Sequence, residues 1–173
     1  VSQVNQYERC PHSYYLARIL KAWQRPAAWL AQGSAVHEAA EAWERSGRTM
    51  SLEEVLAVYA ESYERHINEA CEITPNFEYW FASGPYKGDV DIVRRFEIGK
   101  GQVEKYLAWY AKHPYEVIWV AEDGTPGIEL GFDFDLDGVL VRGFIDAVIL
   151  DIRTGEIIVR DNKTGNSPGD DFQ

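Results

Sequence analysis

The stretch Gly143-Phe-Ile-Asp146, followed by Asp161-Asn-Lys-Thr-Gly165, decides the fold class of this 173-residue chain. Both segments end β-type runs, and the polar connection Ile152-Arg-Thr-Gly155 between them has the length that closes a β-hairpin. Two carboxylates on adjacent strands form a hard, oxygen-rich site that suits Mg²⁺ or Mn²⁺. Lys163 lies two residues beyond Asp161, so the period of a strand places both on one face. The pattern predicts a metal site with a cation beside it, an arrangement that favours phosphodiester hydrolysis.

Working outward, the first two thirds of the chain is helical in pattern. Pro11 suits the first turn of a helix, so residues 2–20 predict a short helix, a break and a second helix. Further helices are predicted over 34–45, from the capping box Ser51-Leu-Glu-Glu54 through Ile67, and over 89–112. Gly33 is expected just before the 34–45 helix, and Gly99 and Gly101 are candidates for a bend in the last one.

The last third of the chain is β-rich, and residues 74–88 before the final helix lack a period and predict a loop. Strands are predicted over residues 115–121, 127–136, 139–151 and 156–162, with a hairpin turn at Asp137-Gly138. The helical and β-rich parts together predict a mixed α/β (α+β) fold within one domain that spans residues 1–173. The chain begins at Val1 and stops a few residues past the lysine, so we expect a domain trimmed at its C-terminus.

Composition indicates an ordinary globular protein, with 46% hydrophobic and 26% charged residues. No apolar run approaches the roughly 18 to 20 residues of a membrane helix, and no signal peptide is visible, so no membrane partner is expected. Two cysteines, Cys10 and Cys71, are too few for a disulfide framework and favour a reducing, cytoplasmic location.

The net charge of −11 argues against strong nonspecific binding of nucleic acid. However, the first 30 residues carry four basic residues against one acidic residue, and a local basic strip together with bound cations can meet phosphates. Aromatic side chains in the same segment can stack on bases, although their helical spacing also suits core packing. The candidate substrate-binding residues are Tyr14, Tyr15, Arg18, Lys21 and Arg25.

Four segments occur together in a characteristic order: Tyr7-Glu-Arg-Cys10-Pro11, Gly33-Ser-Ala-Val-His37, Gly143-Phe-Ile-Asp146 and Asp161-Asn-Lys163-Thr-Gly165. With them the chain resembles the RecB-like branch of the PD-(D/E)xK nuclease superfamily, which includes phage exonucleases and the CRISPR-associated adaptation exonuclease. The resemblance implies a restriction-endonuclease-like core, in which a mixed β-sheet is flanked by helices.

The resemblance also implies a site. Lys163 would position the attacking water and stabilise the scissile phosphate, and Glu129 would bind a second ion or the water, with Glu122 as the alternative. The metal, Mg²⁺ or Mn²⁺, would be ligated by His37, Asp146, Asp161 and the backbone carbonyl of Asn162. From the residues alone, the favoured role of His37 is an ion pair with Glu41 one helical turn away.

Some members of the family carry an iron–sulfur cluster, and Cys10 matches its first ligand. Cys71 does not occupy a ligand position, so a cluster requires cysteines beyond residue 173. The Gln-x-x-x-Tyr helix that follows the lysine strand in the family is absent from this sequence. These features leave the cluster as an expectation that depends on a longer polypeptide.

The function expected from the resemblance is a metal-dependent deoxyribonuclease, foremost an exonuclease in recombination, repair or phage DNA metabolism. Its partners would be single-stranded DNA or duplex ends, together with a helicase or another recombination protein. Two alternatives remain open at this point: a CRISPR-adaptation-type nuclease that trims DNA ends, and a non-catalytic DNA-end-binding module that retains the fold.

Overall fold

The computed structural model describes residues 2–165, which form helices followed by a small sheet. Helices α1 to α5 cover Ser2–Arg9, Pro11–Tyr14, Ala28–Arg45, Leu52–Ile73 and Gly88–Lys112, with a π-helical turn at Tyr15–Ile19 and a 3₁₀ turn at Phe77–Tyr79. Strands β1 to β4 cover Glu116–Ile118, Ile128–Leu136, Val139–Asp151 and Glu156–Arg160. The predicted mixed α/β class is confirmed.

Strand β3 organises the sheet because it pairs with each of the other three strands. Its first part pairs with β2 through the turn at Asp137-Gly138, and its last part pairs with β4 and with the short β1. All of these pairings are antiparallel, so residues 2–165 contain none of the parallel pairing that a mixed sheet includes. Strand β1 is shorter than the predicted 115–121, and the chain beyond it makes only an isolated bridge between Val120 and Pro126.

Helix α3 lies at the centre of the molecule. It packs against α4 and α5, and the buried core that these helices form also contains Ala147 and Ile149 of β3. Alanines recur along the buried side of α3 at helical spacing, and small side chains allow neighbouring elements to approach closely. These alanines are Ala28, Ala31, Ala35 and Ala39. The close packing fixes α3 directly beside the sheet.

The start of α3 differs from the sequence prediction. The helix begins at Ala28 and not at residue 34, so Gly33 lies inside it. The residues before Gly33 favour a helix, and one internal glycine costs only about 1 kcal/mol. A Cβ at Gly33 would lie 3.1 Å from Oγ1 of Thr164, so the glycine leaves room for the chain beyond β4.

The start of α4 follows the prediction in detail. The Ser51 hydroxyl accepts a hydrogen bond from the Glu54 N–H (3.3 Å), and the Glu54 carboxylate accepts one from the Ser51 N–H (2.7 Å). This reciprocal capping box satisfies two N–H groups that a helix N-terminus otherwise leaves unpaired. The helix then continues to Ile73, beyond the predicted Ile67.

The predicted loop before α5 is present and is anchored at several points. Trp80 is buried and donates from its indole Nε1 to the Thr74 carbonyl (2.8 Å). In contrast, α1, the π-helical turn and the residue after it expose apolar side chains, including Val4, Tyr7, Ile19 and Leu20. Among residues 2–165, no helix combines the length and the apolar character that crossing a membrane requires.

Helix α5 runs without interruption through Gly99 and Gly101, which offers a matched pair of substitutions. A Cβ at Gly99 would collide with the buried ring of Tyr59, whereas a Cβ at Gly101 would meet nothing within 4 Å. We expect Gly99→Ala to lower the free energy of unfolding by about 1 to 3 kcal/mol, because overpacking outweighs the better helix propensity. Gly101→Ala should raise it by about 0.5 to 1 kcal/mol.

Urea unfolding of both variants, followed by circular dichroism, measures these changes. A stabilising effect of Gly99→Ala would contradict the close approach of α4 and α5 described here.

Candidate metal centre

Three side chains that can ligate a metal converge where α3 meets the sheet. His37 comes from α3, Glu129 from β2 and Asp146 from β3, and one ligand atom of each lies within 4.8 Å of the others. They open into a cavity of about 460 Å³ whose lining residues are Trp29, Leu30, Gly33, Ser34, His37, Glu129, Asp146 and Thr164. The structure thus brings together three residues that the sequence singled out, from three separate elements.

The two carboxylates are brought together by the pairing of β2 with β3. Ile128 pairs with Ala147 and Leu130 pairs with Ile145, so Glu129 and Asp146 stand opposite each other and share a face of the sheet. Glu129 has a positive φ of 45°, a region that non-glycine residues seldom occupy. Such strain is concentrated at functional sites, where the surrounding structure maintains it. The structure brings Glu129 to Asp146, while the alternative residue Glu122 is exposed and outside the group.

His37 faces Asp146 across the boundary between α3 and the sheet. Its Nδ1 lies 3.5 Å from Oδ2 of Asp146. The alternative pairing with Glu41 is not observed, because the Glu41 carboxylate binds the guanidinium of Arg45 at 2.7 Å. The imidazole therefore points toward the carboxylates and not along its own helix.

Burial and neighbouring carboxylates raise the proton affinity of Glu129. The pKa of Glu129 is raised above its ordinary value of 4.5, first because the carboxyl is partly buried and next because Asp146 and Glu41 lie nearby. His37 and Arg45 offset part of this effect. The carboxylates thus form a site in which a bound cation would relieve repulsion.

The segment after β4 reaches the same site through its backbone. The N–H of Asn162 donates a hydrogen bond to Oδ2 of Asp146 at 2.6 Å. Thr164, two residues later, lines the cavity against Gly33. Residues on both sides of Lys163 therefore lie at the site, Asn162 through its backbone N–H and Thr164 as part of the cavity lining.

The placement of Asp161 and Lys163 departs from the sequence prediction. Strand β4 ends at Arg160 and not at residue 162. The alternation of side chains along a strand therefore does not apply to residues 161–164, which we call the lysine segment. Asp161 lies outside the group formed by His37, Glu129 and Asp146, and its carboxylate instead pairs with the ammonium of Lys163. Both side chains face solvent, at 54% and 66% exposure.

The candidate substrate-binding residues lie in the exposed N-terminal segment, residues 2–20, and in the chain that follows it up to α3. Tyr15 is exposed, Tyr14 packs edge-to-face on Tyr7 with 5.5 Å between ring centroids, and Lys21 has a positive φ of 48°. Arg18 donates to the side chain of Gln6 (3.2 Å). Arg25 binds the carbonyls of Glu78, Tyr79 and Trp80, so it also ties this segment to the loop before α5.

Cys10 is exposed, so its thiol is not a buried structural group. Its sulfur caps α2 by accepting a hydrogen bond from the Ser13 N–H at 3.4 Å. Cys71 is half-buried in α4, and neither cysteine belongs to the group of ligands found among residues 2–165.

The donor set fits a hard divalent cation. One imidazole nitrogen and two carboxylate oxygens converge on an open cavity, and oxygen ligands with a single imidazole suit Mg²⁺ or Mn²⁺ better than a thiolate-preferring metal. The convergence of the two acids, one with a raised pKa, supports the same conclusion. His37, Glu129 and Asp146 are the residues that would hold such an ion.

Comparison with known proteins agrees with this geometry. The family model of the PD-(D/E)XK nuclease superfamily matches residues 1–173. The chain is similar to the Gene 69 protein of Mycobacterium phage D29, at 54% identity over 176 residues, and to that of Mycobacterium phage L5, at 51% over 195 residues. Both matches cover 100% of this chain but 64% and 66% of the phage proteins. No solved structure matches.

The chain belongs to the PD-(D/E)XK nuclease superfamily. It spans a little under two thirds of the length of the phage relatives described above.

The crowded carboxylates make a pH-dependent prediction for the metal-free protein. The folded-state pKa of Glu129 is raised, so its ionised form lowers stability above that pKa, and the penalty disappears as the pH falls toward 4.5. We expect Glu129→Gln to raise the melting temperature at pH 8 in EDTA and the gain to shrink as the pH is lowered. The exposed Glu122→Gln provides the control, and a destabilising effect of Glu129→Gln at pH 8 would contradict the repulsion.

Proposed function

We propose that this chain is the nuclease domain of a RecB-like enzyme that hydrolyses phosphodiester bonds in DNA with Mg²⁺ or Mn²⁺, and that it acts as an exonuclease. The observation that carries the proposal is the convergence of His37, Glu129 and Asp146 in an open cavity, with the backbone of the lysine segment attached to it. Membership of the PD-(D/E)XK superfamily supports nuclease chemistry at this site.

In this proposal each ligand acts from a rigid element. His37, Glu129 and Asp146 would hold the ion, and the Asn162 N–H orients the carboxylate of Asp146 by a hydrogen bond of 2.6 Å. The chemistry that a bound divalent ion supplies is polarisation of the scissile phosphate and a stronger nucleophile at neutral pH. The partly buried carboxylate of Glu129 could also hold a water close to the reacting phosphate.

Lys163 would neutralise charge that develops on the phosphate, and Asp161 with the Asn162 carbonyl would complete the ligand set. In the structure, the side chains of Lys163 and Asp161 form an ion pair at the surface. Exposed ion pairs of this kind contribute only about 0 to 1 kcal/mol, so exchanging the partner for a phosphate or a cation costs little. The observed pair is therefore compatible with both proposed roles.

The exposed N-terminal segment is the proposed contact surface for DNA. Tyr15 offers a solvent-facing ring, and Arg18 and Lys21 supply positive charge in a chain of net charge −11. Aromatic rings beside cations bind single-stranded bases without sequence preference, which suits an enzyme that acts on DNA ends. Tyr14 and Arg25 support this surface through their contacts with Tyr7 and with the loop before α5.

The relatives point to the biological setting. The two similar proteins described above belong to mycobacteriophages, which favours phage DNA metabolism inside the infected cell over the CRISPR-adaptation role. The phage proteins are longer than this chain, so the complete polypeptide is the form to assay. A helicase partner and an iron–sulfur cluster that uses Cys10 stay predictions for that longer protein.

Metal binding has a direct test in stability. Mn²⁺ that binds only the folded protein should stabilise it by about 2.7 kcal/mol at a concentration of 100 times Kd. We expect the rise in melting temperature to be lost in Asp146→Asn, which keeps an oxygen for the Asn162 N–H but removes the charge. Asp133→Asn, at an exposed position on the hairpin, should retain it. An equal rise in melting temperature in both variants would contradict binding of the metal at this site.

Cleavage tests the function itself. End-labelled single- and double-stranded DNA is incubated with the complete polypeptide and Mg²⁺, Mn²⁺ or EDTA. We expect metal-dependent cleavage that falls by about 100-fold or more in Lys163→Ala, because a charge-stabilising group is lost. The exposed Lys105→Ala serves as the control.

The product ladder shows how the DNA is cut. An exonuclease is expected to remove nucleotides stepwise from one end, whereas an endonuclease cuts internally. Retention of DNA ends without cleavage under every metal condition would instead indicate a binding module.

A further inference from the structure

A line of polar side chains runs from the interior of the molecule to the lysine segment. Gln32 of α3 is only 1% exposed, and it lies between Arg95 and Gln102, both on α5. Its Oε1 accepts a hydrogen bond from Nη1 of Arg95 (3.2 Å), and its Nε2 donates to Oε1 of Gln102 (2.6 Å). The Nε2 of Gln102 then donates to the backbone carbonyl of Thr164 (3.0 Å).

The direction of this line is fixed at its inner end. A guanidinium has no acceptor, so Arg95 requires the oxygen of the Gln32 amide to face it. The nitrogen of Gln32 must then face Gln102, which turns the Gln102 oxygen inward and its nitrogen outward. Arg95 itself is held by the Ser83 hydroxyl (3.0 Å) and lies 3.6 Å from the buried carboxylate of Asp91. A donor is therefore presented to Thr164 and not an acceptor.

The outer end of the line meets the segment that carries Lys163. Thr164 follows Lys163 directly, and the N–H of Asn162 on the other side binds Asp146. These two backbone hydrogen bonds bracket the lysine. Gly33 contributes by leaving space for Thr164, whose Oγ1 would lie 3.1 Å from a Cβ at that position.

We propose that Gln102 and Gln32 are positioning residues, which hold the Asp161–Thr164 segment and thereby place Lys163 beside the site of His37, Glu129 and Asp146. The role in catalysis rests on the function proposed above. Neither glutamine lines the cavity, so both act through the main chain of the lysine segment.

A purely structural bridge between α3 and α5 would explain less. Such a bridge is complete once Gln32 binds Gln102 and Arg95, since these bonds already join the two helices. The further bond from Gln102 leaves the helix pair and ends on an irregular segment, where none of the strands β1 to β4 supplies a donor for the Thr164 carbonyl. Its effect falls on the lysine segment and not on the helical core.

The test replaces the donor while keeping the shape. Gln102→Glu retains an acceptor for Gln32 but places a carboxylate oxygen against the Thr164 carbonyl, and Gln102→Met removes polarity at similar length. Glu104→Gln, on the exposed side of the same helix, is the matched control. All variants are made in the complete polypeptide, and thermal unfolding checks that each is folded.

Two measurements are compared. The rate of cleavage of end-labelled DNA at saturating Mn²⁺ and DNA should fall by about tenfold in Gln102→Glu, as expected when a supporting residue is lost. Trypsin cleavage after Lys163, identified by mass spectrometry, should become faster by about fivefold, which corresponds to the loss of one ordinary hydrogen bond. Gln102→Met should change both in the same direction, and Glu104→Gln should change neither.

The trypsin measurement does not depend on nuclease activity, so the two proposals fail separately. If the wild type cuts DNA and Gln102→Glu alters neither rate, the positioning role is overturned. A melting temperature that falls together with slower DNA cleavage, but with trypsin cleavage at Lys163 unchanged, likewise overturns it in favour of a structural bridge. If the wild type does not cut DNA while the trypsin effect is present, the hold on the segment stands and the nuclease assignment fails.

Discussion

The antiparallel pairing of β3 with its neighbours is the constraint on which the site depends. On one side, the register with β2 sets Glu129 opposite Asp146. On the other, β4 pairs through Arg160 with Ala147, so the chain leaves the sheet beside Asp146 and its Asn162 N–H reaches the carboxylate. A slip of one residue in the pairing of β2 with β3 would turn Glu129 to the face opposite Asp146. Packing of the alanine-lined face of α3 against β3 then adds His37.

This arrangement places the carboxylates of Glu129 and Asp146 close together, where their negative charges do not stabilise the metal-free protein. Two opposed carboxylates repel each other, Glu129 has a strained φ of 45°, and burial raises its pKa further. His37 and Arg45 offset only part of the repulsion. The surrounding α3 packing and the β2–β3 hairpin must therefore hold the residues in place. A partly buried cavity that maintains unfavourable charge in a defined geometry is a site prepared for a cation.

The sequence predicted the parts of the fold that local patterns determine. The capping box at Ser51, the turn at Asp137-Gly138 and the two long hairpin strands all follow from nearby residues. The convergence of His37, Glu129 and Asp146 followed from a resemblance that places them on adjoining elements. The sequence did not predict that β4 ends at Arg160. The prediction that Asp161 and Lys163 share a face assumed a strand, and side chains alternate between two faces only within a strand. Gln32 and Gln102 had no local signal, since they are 70 residues apart in sequence.

The mode of attachment of the lysine segment explains how an irregular stretch can serve a precise site. Its anchors are main-chain atoms, the N–H of Asn162 and the carbonyl of Thr164, and their partners come from β3 and α5. Because the backbone makes the attachments, the side chains of Asp161 and Lys163 are left facing solvent, and within residues 2–165 they pair with each other. A continued strand would have fixed both side chains by its pleat. Ending β4 early and holding the backbone instead leaves a carboxylate and an ammonium exposed next to Thr164, which lines the cavity, and their weak ion pair can exchange its partners at little cost.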